Sequence, residues 1–329
     1  MRKNPIDLIL IFFLAANSLP AHGQDAIFSQ FFSAPVYLNP AFAGTGQCPR
    51  LVFNYRNQPW PDFGTFSTYN FSFDRAVDAL RGGLGVLLTS DHQGGLLMRN
   101  HISAIYSLHL RLTRDFYLNF GVQAGYLRND LNWDRLIFAD QFDTGTGIIN
   151  PQTEPPPDKT WRHAADFGAG VLLFNERFYG GAAIHHLTRP NQSFFGHNQP
   201  LPLKITAHAG MHIPIIQKSS TTSPTEQFFL SPNVIYQNQG AHHRLNYGIY
   251  AGISQFVAGV WLRQDLNLPE TLIFMIGLNP GNYRVAYSYD HSLSGFSGIF
   301  NGTHEISVLL NLHCNAKKQR YRILNCPSF

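Results

Sequence analysis

The sequence predicts an all-β protein, a transmembrane antiparallel β-barrel of about 14 strands (about 12 to 16 when segment edges are shifted by a few residues). Three observations carry that prediction. Apolar and polar residues alternate with period two in one segment after another, as they do in a strand whose two faces meet different surroundings. Charged residues are only 13 % of the chain, against about a quarter in ordinary soluble domains, while aromatics reach 14 %. Beyond the leader, no window approaches the roughly eighteen uninterrupted apolar residues of a membrane helix, and helix signals are nearly absent.

The elements follow in chain order. Residues 1–23 read as a secretory signal peptide: Arg2 and Lys3 precede an apolar run, and small residues at Ala21 and Gly23 offer cleavage before Gln24. The residue just after that point is Gln24 and not Cys, which argues against a lipid-anchored N-terminus. Residues 24–49 form a periplasmic strap or plug. Within it, "SAPVYLNPAFAG" from Ser33 to Gly44 holds two prolines that restrict φ and cannot donate to a ladder. Each proline also biases its predecessor, Ala34 or Asn39, toward extended backbone. The expectation is a stiff extended segment across the barrel mouth, anchored by Phe31, Phe32, Tyr37 and Phe42, with Gly44 permitting the turn into the first strand.

Residues 50–314 form the barrel. Fourteen segments start near Arg50, Thr65, Gly82, Arg99, Asp115, Arg162, Arg177, Leu203, Glu226, His243, Gln255, Glu270, Asn282 and Thr303. In "NHISAIYSLHLRL", Ile102, Ala104, Tyr106, Leu108 and Leu110 share one face, and His101, Ser103, Ser107, His109 and Arg111 the other. An even count, apolar faces toward lipid and polar faces toward a lumen suit a bacterial outer-membrane barrel, and closure removes the exposed edges. With a periplasmic N-terminus, connections after even strands should be short, and they are around Arg114, Asn175, Ser254 and Asn279, whereas "VDALRGG" before the third strand and "IQKSSTTSPTEQ" from Ile216 are longer than periplasmic turns need be. The long ones, near residues 129–161, 188–202 and 291–302, follow odd strands. A soluble sandwich or propeller shows the same alternation, but the polar faces here favour Ser, Asn, Gly, His and Arg over Lys and Glu. Tyr55, Tyr69, Tyr126, Trp261 and Tyr283 suit interface girdles. Residues 315–329 are a basic tail, expected in the periplasm.

The chemistry-bearing residues point away from catalysis. His208 and His212 share a face, but four strand residues span about 13 Å, too far to ligate one metal ion. The adjacent pairs His185–His186 and His242–His243 point to opposite faces, so hydrogen bonding to neighbours is the expectation. No GxSxG, HExxH or phosphate loop is present, and no catalytic residue, cofactor or metal is expected. Asp134, Asp140 and Asp143 lack EF-hand spacing. The net charge falls from +4 to +3 when Arg2, Lys3 and Asp7 leave, and no basic run interleaved with aromatics suggests nucleic acid. Cys48, Cys314 and Cys326 allow one bridge, between Cys314 and Cys326, with Cys48 free. Arg111, Lys204, Arg244, Arg263 and Arg284, with Asp290 and Glu305, can line an anion path or pair with one another; pairing is favoured. An outer-membrane porin or solute channel is the alternative reading.

The segment "FSQFFSAPVYLNPAFAG" from Phe28 to Gly44 resembles the opening of the PorP/SprF family of type IX secretion membrane proteins from the Bacteroidota. Similar support comes from "NYRNQPWP" at Asn54, "STYNFSFD" at Ser67, "GGLGVLL" at Gly82, "YRVAYSYDHSLSG" at Tyr283 and "THEISVLL" at Thr303, with an inserted Pro59 as a departure. The resemblance implies an outer-membrane barrel that supports export or surface anchoring of secreted proteins, such as gliding adhesins. It also implies contacts with periplasmic ring components or with cargo, and no small-molecule substrate. Phe31, Phe32, Tyr37, Asn39, Pro40, Phe42 and Gly44 are then either a plain closure of the barrel floor or a docking surface for the periplasmic machinery.

Overall fold

A computed structural model describes residues 24–46, 48–60, 64–138, 141, 155–218, 225–265, 268–293 and 302–312. Its strands are β1 (Arg50–Trp60), β2 (Gly64–Val77), β3 (Gly82–Gln93), β4 (Leu97–Arg111), β5 (Tyr117–Leu131), β6 (Trp161–Phe174), β7 (Phe178–His185), β8 (Lys204–Met211) and β9 (Ile213–Lys218). They continue as β10 (Thr225–Gln239), β11 (His242–Ile253), β12 (Phe256–Asp265), β13 (Leu268–Leu278), β14 (Tyr283–Ser292) and β15 (Thr303–Asn311).

Apart from β8 and β9, each strand pairs antiparallel with its sequence neighbour, and β1 pairs with β15, Arg50 opposite Asn311, to close the ring. β8 and β9 are two halves of one stave. Both pair with β10, and the register runs on across His212, with Gly210 opposite Asn233 and Ile213 opposite Leu230. The fifteen strands therefore make a closed barrel of 14 staves, and every predicted segment start lies within two residues of an observed one. Closure satisfies the backbone groups that a bilayer cannot. Among the described residues no helix is long and apolar enough to cross a membrane.

The faces are inverted relative to a soluble protein. Ser72, Ser103, Ser107, Asn119, Asn246, Ser288 and Glu305 point inward and are buried, while Phe71, Ile102, Phe120, Tyr247 and Ile306 point outward and are exposed. The three long connections, after β5, β7 and β14, open at one end of the barrel. Pro49 and Leu312 lie at the other, short-turn end, joined by the bond from Leu312 N–H to Pro49 O.

Three expectations need correction. Trp261 does not stand in a girdle: its indole is 1 % exposed and faces the lumen, because it falls on the inward register of β12. Arg111 leaves the lumenal network; at the end of β4 it lies 5.9 Å over the Tyr117 ring and donates to Thr113 O and Arg114 O. Cys48 is not free: it is disulfide-bonded. Cys314 and Cys326 lie outside the described residues. The signal peptide, the basic tail and the Asp140 and Asp143 positions lie outside the described residues.

Candidate functional site

Residues 24–46 thread the lumen from end to end. Gln24 and Asp25 lie at the long-connection mouth, where Arg99, His186, Lys204 and Gln239 meet them; Gly44 reaches Asp74 near the short-turn end. The expected extended segment across a mouth is therefore corrected to a plug along the axis. It coils into a 3-10 turn at Phe31–Ser33, one α-turn at Pro35–Leu38 and a 3-10 turn at Pro40–Phe42. Both prolines occupy first helical positions, where the missing N–H costs nothing. Asn39, extended as a pre-proline residue should be, caps the last turn by accepting from Ala41 N–H at 2.9 Å.

Four anchors hold the plug. At the mouth, the Asp25 carboxylate meets His186 Nε2 at 2.7 Å, Arg99 at 3.3 Å and Lys204 at 3.4 Å, and His186 Nδ1 turns to Asp166 at 2.9 Å. Burial alone would raise the Asp25 carboxyl, but the charges of His186, Lys204 and Arg99 outweigh it and hold it well below the usual carboxylate range. Burial opposes the charge on His186, yet Asp25 and Asp166 lift its imidazole to about 9. Its backbone sits at φ +62°, a strained conformation for histidine that aims the ring between the two carboxylates. Tyr37 donates to Ala26 O at 2.6 Å, and Lys204 Nζ stands 4.8 Å above its ring.

The second anchor is Phe28-Ser29-Gln30. Glu305 accepts from Ser29 N–H at 2.6 Å and Gln30 N–H at 3.1 Å. Ser29 Oγ donates to Asp290 and accepts from Arg56 at 2.7 Å and Arg263 at 2.9 Å. The Gln30 amide donates to Glu305 O and Ser288 Oγ, and accepts from Ser307 Oγ. Arg56 and Arg263 also pair with Asp290 at 3.1 and 3.3 Å. Of the predicted lumenal charges, Arg263 thus pairs with Asp290, with Ser29 of the plug between them, while Lys204 pairs with Asp25 of the plug and Arg56 serves Asp290 and Glu305.

The third anchor is Asn39, fully buried, whose amide donates to Val171 O at 3.0 Å and Ala182 O at 3.2 Å and touches His208 Nε2 at 3.1 Å. The wall makes room here: a Cβ at Gly170 would meet Asn39 Oδ1 at 2.0 Å, and one at Gly121 would meet Ala41 N at 2.2 Å. The fourth is Asp74, which accepts from Gly44 N–H at 2.8 Å and from Arg50 through both oxygens. Between anchors, Phe31 packs on Trp261 at 5.6 Å, Phe32 on Tyr179 at 5.5 Å and Phe42 on His208 at 5.3 Å.

Of the seven residues singled out in the sequence, Phe31, Phe32, Asn39, Pro40, Phe42 and Gly44 are buried in this plug and Tyr37 is half-buried. On the lumen side of the site, sequence reasoning named His186, Asp290 and Glu305 without placing them against the plug, and it missed Asp74 and Asp166. Their one signal is a polar or acidic residue on the inward face of a strand, which does not say what it meets.

A cavity of about 680 Å³ opens at the long-connection mouth, with Ala26 and Ile27 of the plug among its walls. Among the described residues no group of three or more His, Cys, Asp or Glu is arranged to hold a metal ion.

Residues 21–310 match the sequence profile of the type IX secretion system membrane protein PorP/SprF family. The chain belongs to this family. The match takes in the whole plug and all but the last residue of β15, so the PorP/SprF profile spans the anchors as well as the wall. No curated protein matches the chain. Solved structures similar to this PorP/SprF protein include the CymD monoaromatic hydrocarbon channel, at 12 % identity and a TM-score of 0.50, covering 89 % of this chain and 96 % of that one. A TodX monoaromatic hydrocarbon channel mutant is also 12 % identical, with a TM-score of 0.45, over 85 % and 94 % of the two chains. The KdgM porin is 7 % identical, with a TM-score of 0.35, over 80 % and 99 %. The likeness to CymD is one of fold.

Proposed function

We propose that this protein is a sealed, non-enzymatic outer-membrane component of the type IX secretion machinery, oriented with its long connections outward and its short turns toward the periplasm. It supports export or surface anchoring of secreted proteins, such as gliding adhesins, by contacting periplasmic ring components or cargo. The observation that carries this reading is the plug: Val36, Asn39, Ala41 and Ala43 are each 0 % exposed inside the lumen, and a solute path needs a gap there. The orientation is supported by the long connections gathering at one end, as in outer-membrane barrels with short periplasmic turns. In the seated plug, Phe31, Phe32, Tyr37, Asn39, Pro40, Phe42 and Gly44 face the wall, so a docking role for them belongs to a released plug. Partner contacts in the sealed state fall to the two mouths.

The test is an affinity pull-down of the tagged protein from gently solubilised outer membranes, paired with conductance in planar bilayers. Recovery of ring components or of a large surface protein, with a silent bilayer, is expected. Recovery of the barrel alone, with steady conductance, would replace this reading with a solute channel.

A further inference from the structure

Five histidines face outward within three residues of the strand ends at the long-connection mouth: His92, His163, His243, His291 and His304. Three of them share one geometry. The Tyr126 hydroxyl meets His163 Nδ1 at 3.2 Å, that of Tyr236 meets His243 Nδ1 at 2.9 Å, and that of Tyr287 meets His304 Nδ1 at 2.7 Å. In each case the histidine lies two residues nearer the rim than the tyrosine's cross-strand partner, which is Ala165, Leu245 or Ile306. Tyr69 and His92 repeat the diagonal as an edge-on ring pair at 5.8 Å.

The chemistry of the pairs is directional. A neutral imidazole has one donor and one acceptor nitrogen. In the tautomer whose Nδ1 accepts from the phenol, the proton is on Nε2, a donor held at a fixed angle by the tyrosine. Among the described residues, Nε2 of His163 and of His304 has no hydrogen-bond partner, and Nε2 of His243 has only a 3.4 Å contact with the Asn238 amide. One cationic group stands beside the first pair: Lys159 lies 5.3 Å over the Trp161 ring, which is itself 5.1 Å from His163. At the opposite rim the outward residues include Phe178, Ile253, Phe256 and Leu278, and no described histidine faces outward there. The two girdles therefore address different headgroup layers.

We propose that the Tyr–His ring is a binding surface for phosphate-bearing lipid headgroups in the leaflet at the long-connection mouth. His163, His243 and His304 each donate from Nε2 to a phosphate oxygen, and Lys159 adds charge beside His163. The lipid's acyl chains lie against the apolar faces below, such as the groove of about 370 Å³ bordered by Phe53, Phe71, Leu88, Ile102 and Tyr126. The inference stands whether or not the protein serves secretion.

The test uses the full chain in detergent micelles and native mass spectrometry with a bisphosphorylated diglucosamine lipid, or with the same lipid lacking its phosphates. The phosphorylated form is expected to bind about tenfold more tightly. The triple variant His163→Phe, His243→Phe, His304→Phe keeps the aromatic belt, and its affinity should fall to that of the phosphate-free lipid, with His→Gln at the three positions recovering most of the loss. Equal affinity of the wild type for both lipids would overturn the proposal, and this comparison decides even where the triple variant fails to fold. Competition by millimolar inorganic phosphate as effective as competition by the lipid would overturn it too, in favour of a free-anion site.

Discussion

Single side chains decide where the plug sits. Glu305 is fully buried and takes two backbone N–H groups of Ser29 and Gln30 while Arg56 lies at 3.5 Å. Glu305→Ala strands those donors and leaves the arginine short of an anion. A loss of about 3–5 kcal/mol is expected, checked as the urea-unfolding midpoint of the protein refolded in vesicles. Asn39→Asp sets a carboxylate against Val171 O and Ala182 O, which need a donor. It should release the lower plug while the barrel still assembles, seen as new conductance with unchanged heat-modifiable migration. The Asp25–His186 latch predicts a pH dependence. His186 rises to about 9 in the seated plug, so its contribution is complete below its free value near 6.5 and fades as pH climbs through about 9. Asp25 is depressed, so its share is complete above its free value near 3.9 and is lost as pH falls through the lower, seated value. Opening events in single-channel records should therefore be rarest between about pH 4 and 6.5 and more frequent at pH 10; a flat profile would count against the latch.

At the scale of elements, the strands were legible and the plug's conformation was not. Period-two alternation located every stave because lipid outside and a polar lumen inside impose opposite demands on alternate residues. The same alternation carried the reading of Trp261 astray: an aromatic near a strand end suits a girdle, but its parity on β12 points it inward, against Phe31 and Phe32. In the plug, Pro35 and Pro40 suggest extended chain when only φ restriction is considered. They also fit the first position of a helical turn, and with Asn39 ready to cap, that preference prevailed. The fit of plug to wall is close enough to be broken from the wall side. Gly121→Val and Gly170→Val together put side-chain atoms where Ala41 N and Asn39 Oδ1 sit. The variant should keep its strand content by circular dichroism yet conduct ions steadily in planar bilayers, as a deletion of residues 24–44 should.

For the whole molecule, the path of the plug has a topological consequence. Gly44 meets Asp74 at the short-turn end and Asp25 meets His186 at the other, so the chain spans the lumen before β1 begins. With the long connections outward, Gln24→Cys should react with a membrane-impermeant maleimide added to intact cells, whereas Ala43→Cys, at a position buried in the lumen, should stay unlabelled. Labelling of Gln24→Cys only after the outer membrane is breached would reverse the proposed orientation. The sequence by itself determined the class of the protein, about 14 staves with starts within two residues of those observed, where its three longest connections fall, and the segment that marks its family. Each of these is written in local composition or in a period set by the two solvents of a membrane barrel. Only the tertiary structure decided that this segment fills the lumen and that Glu305, Asp290 and Asp74 receive it. It alone decided, too, that Cys48 is bridged and that tyrosine and histidine meet around one rim. Those outcomes join residues as far apart as Gln30 and Ser307, 277 positions, and closure of the barrel is what brings them into contact.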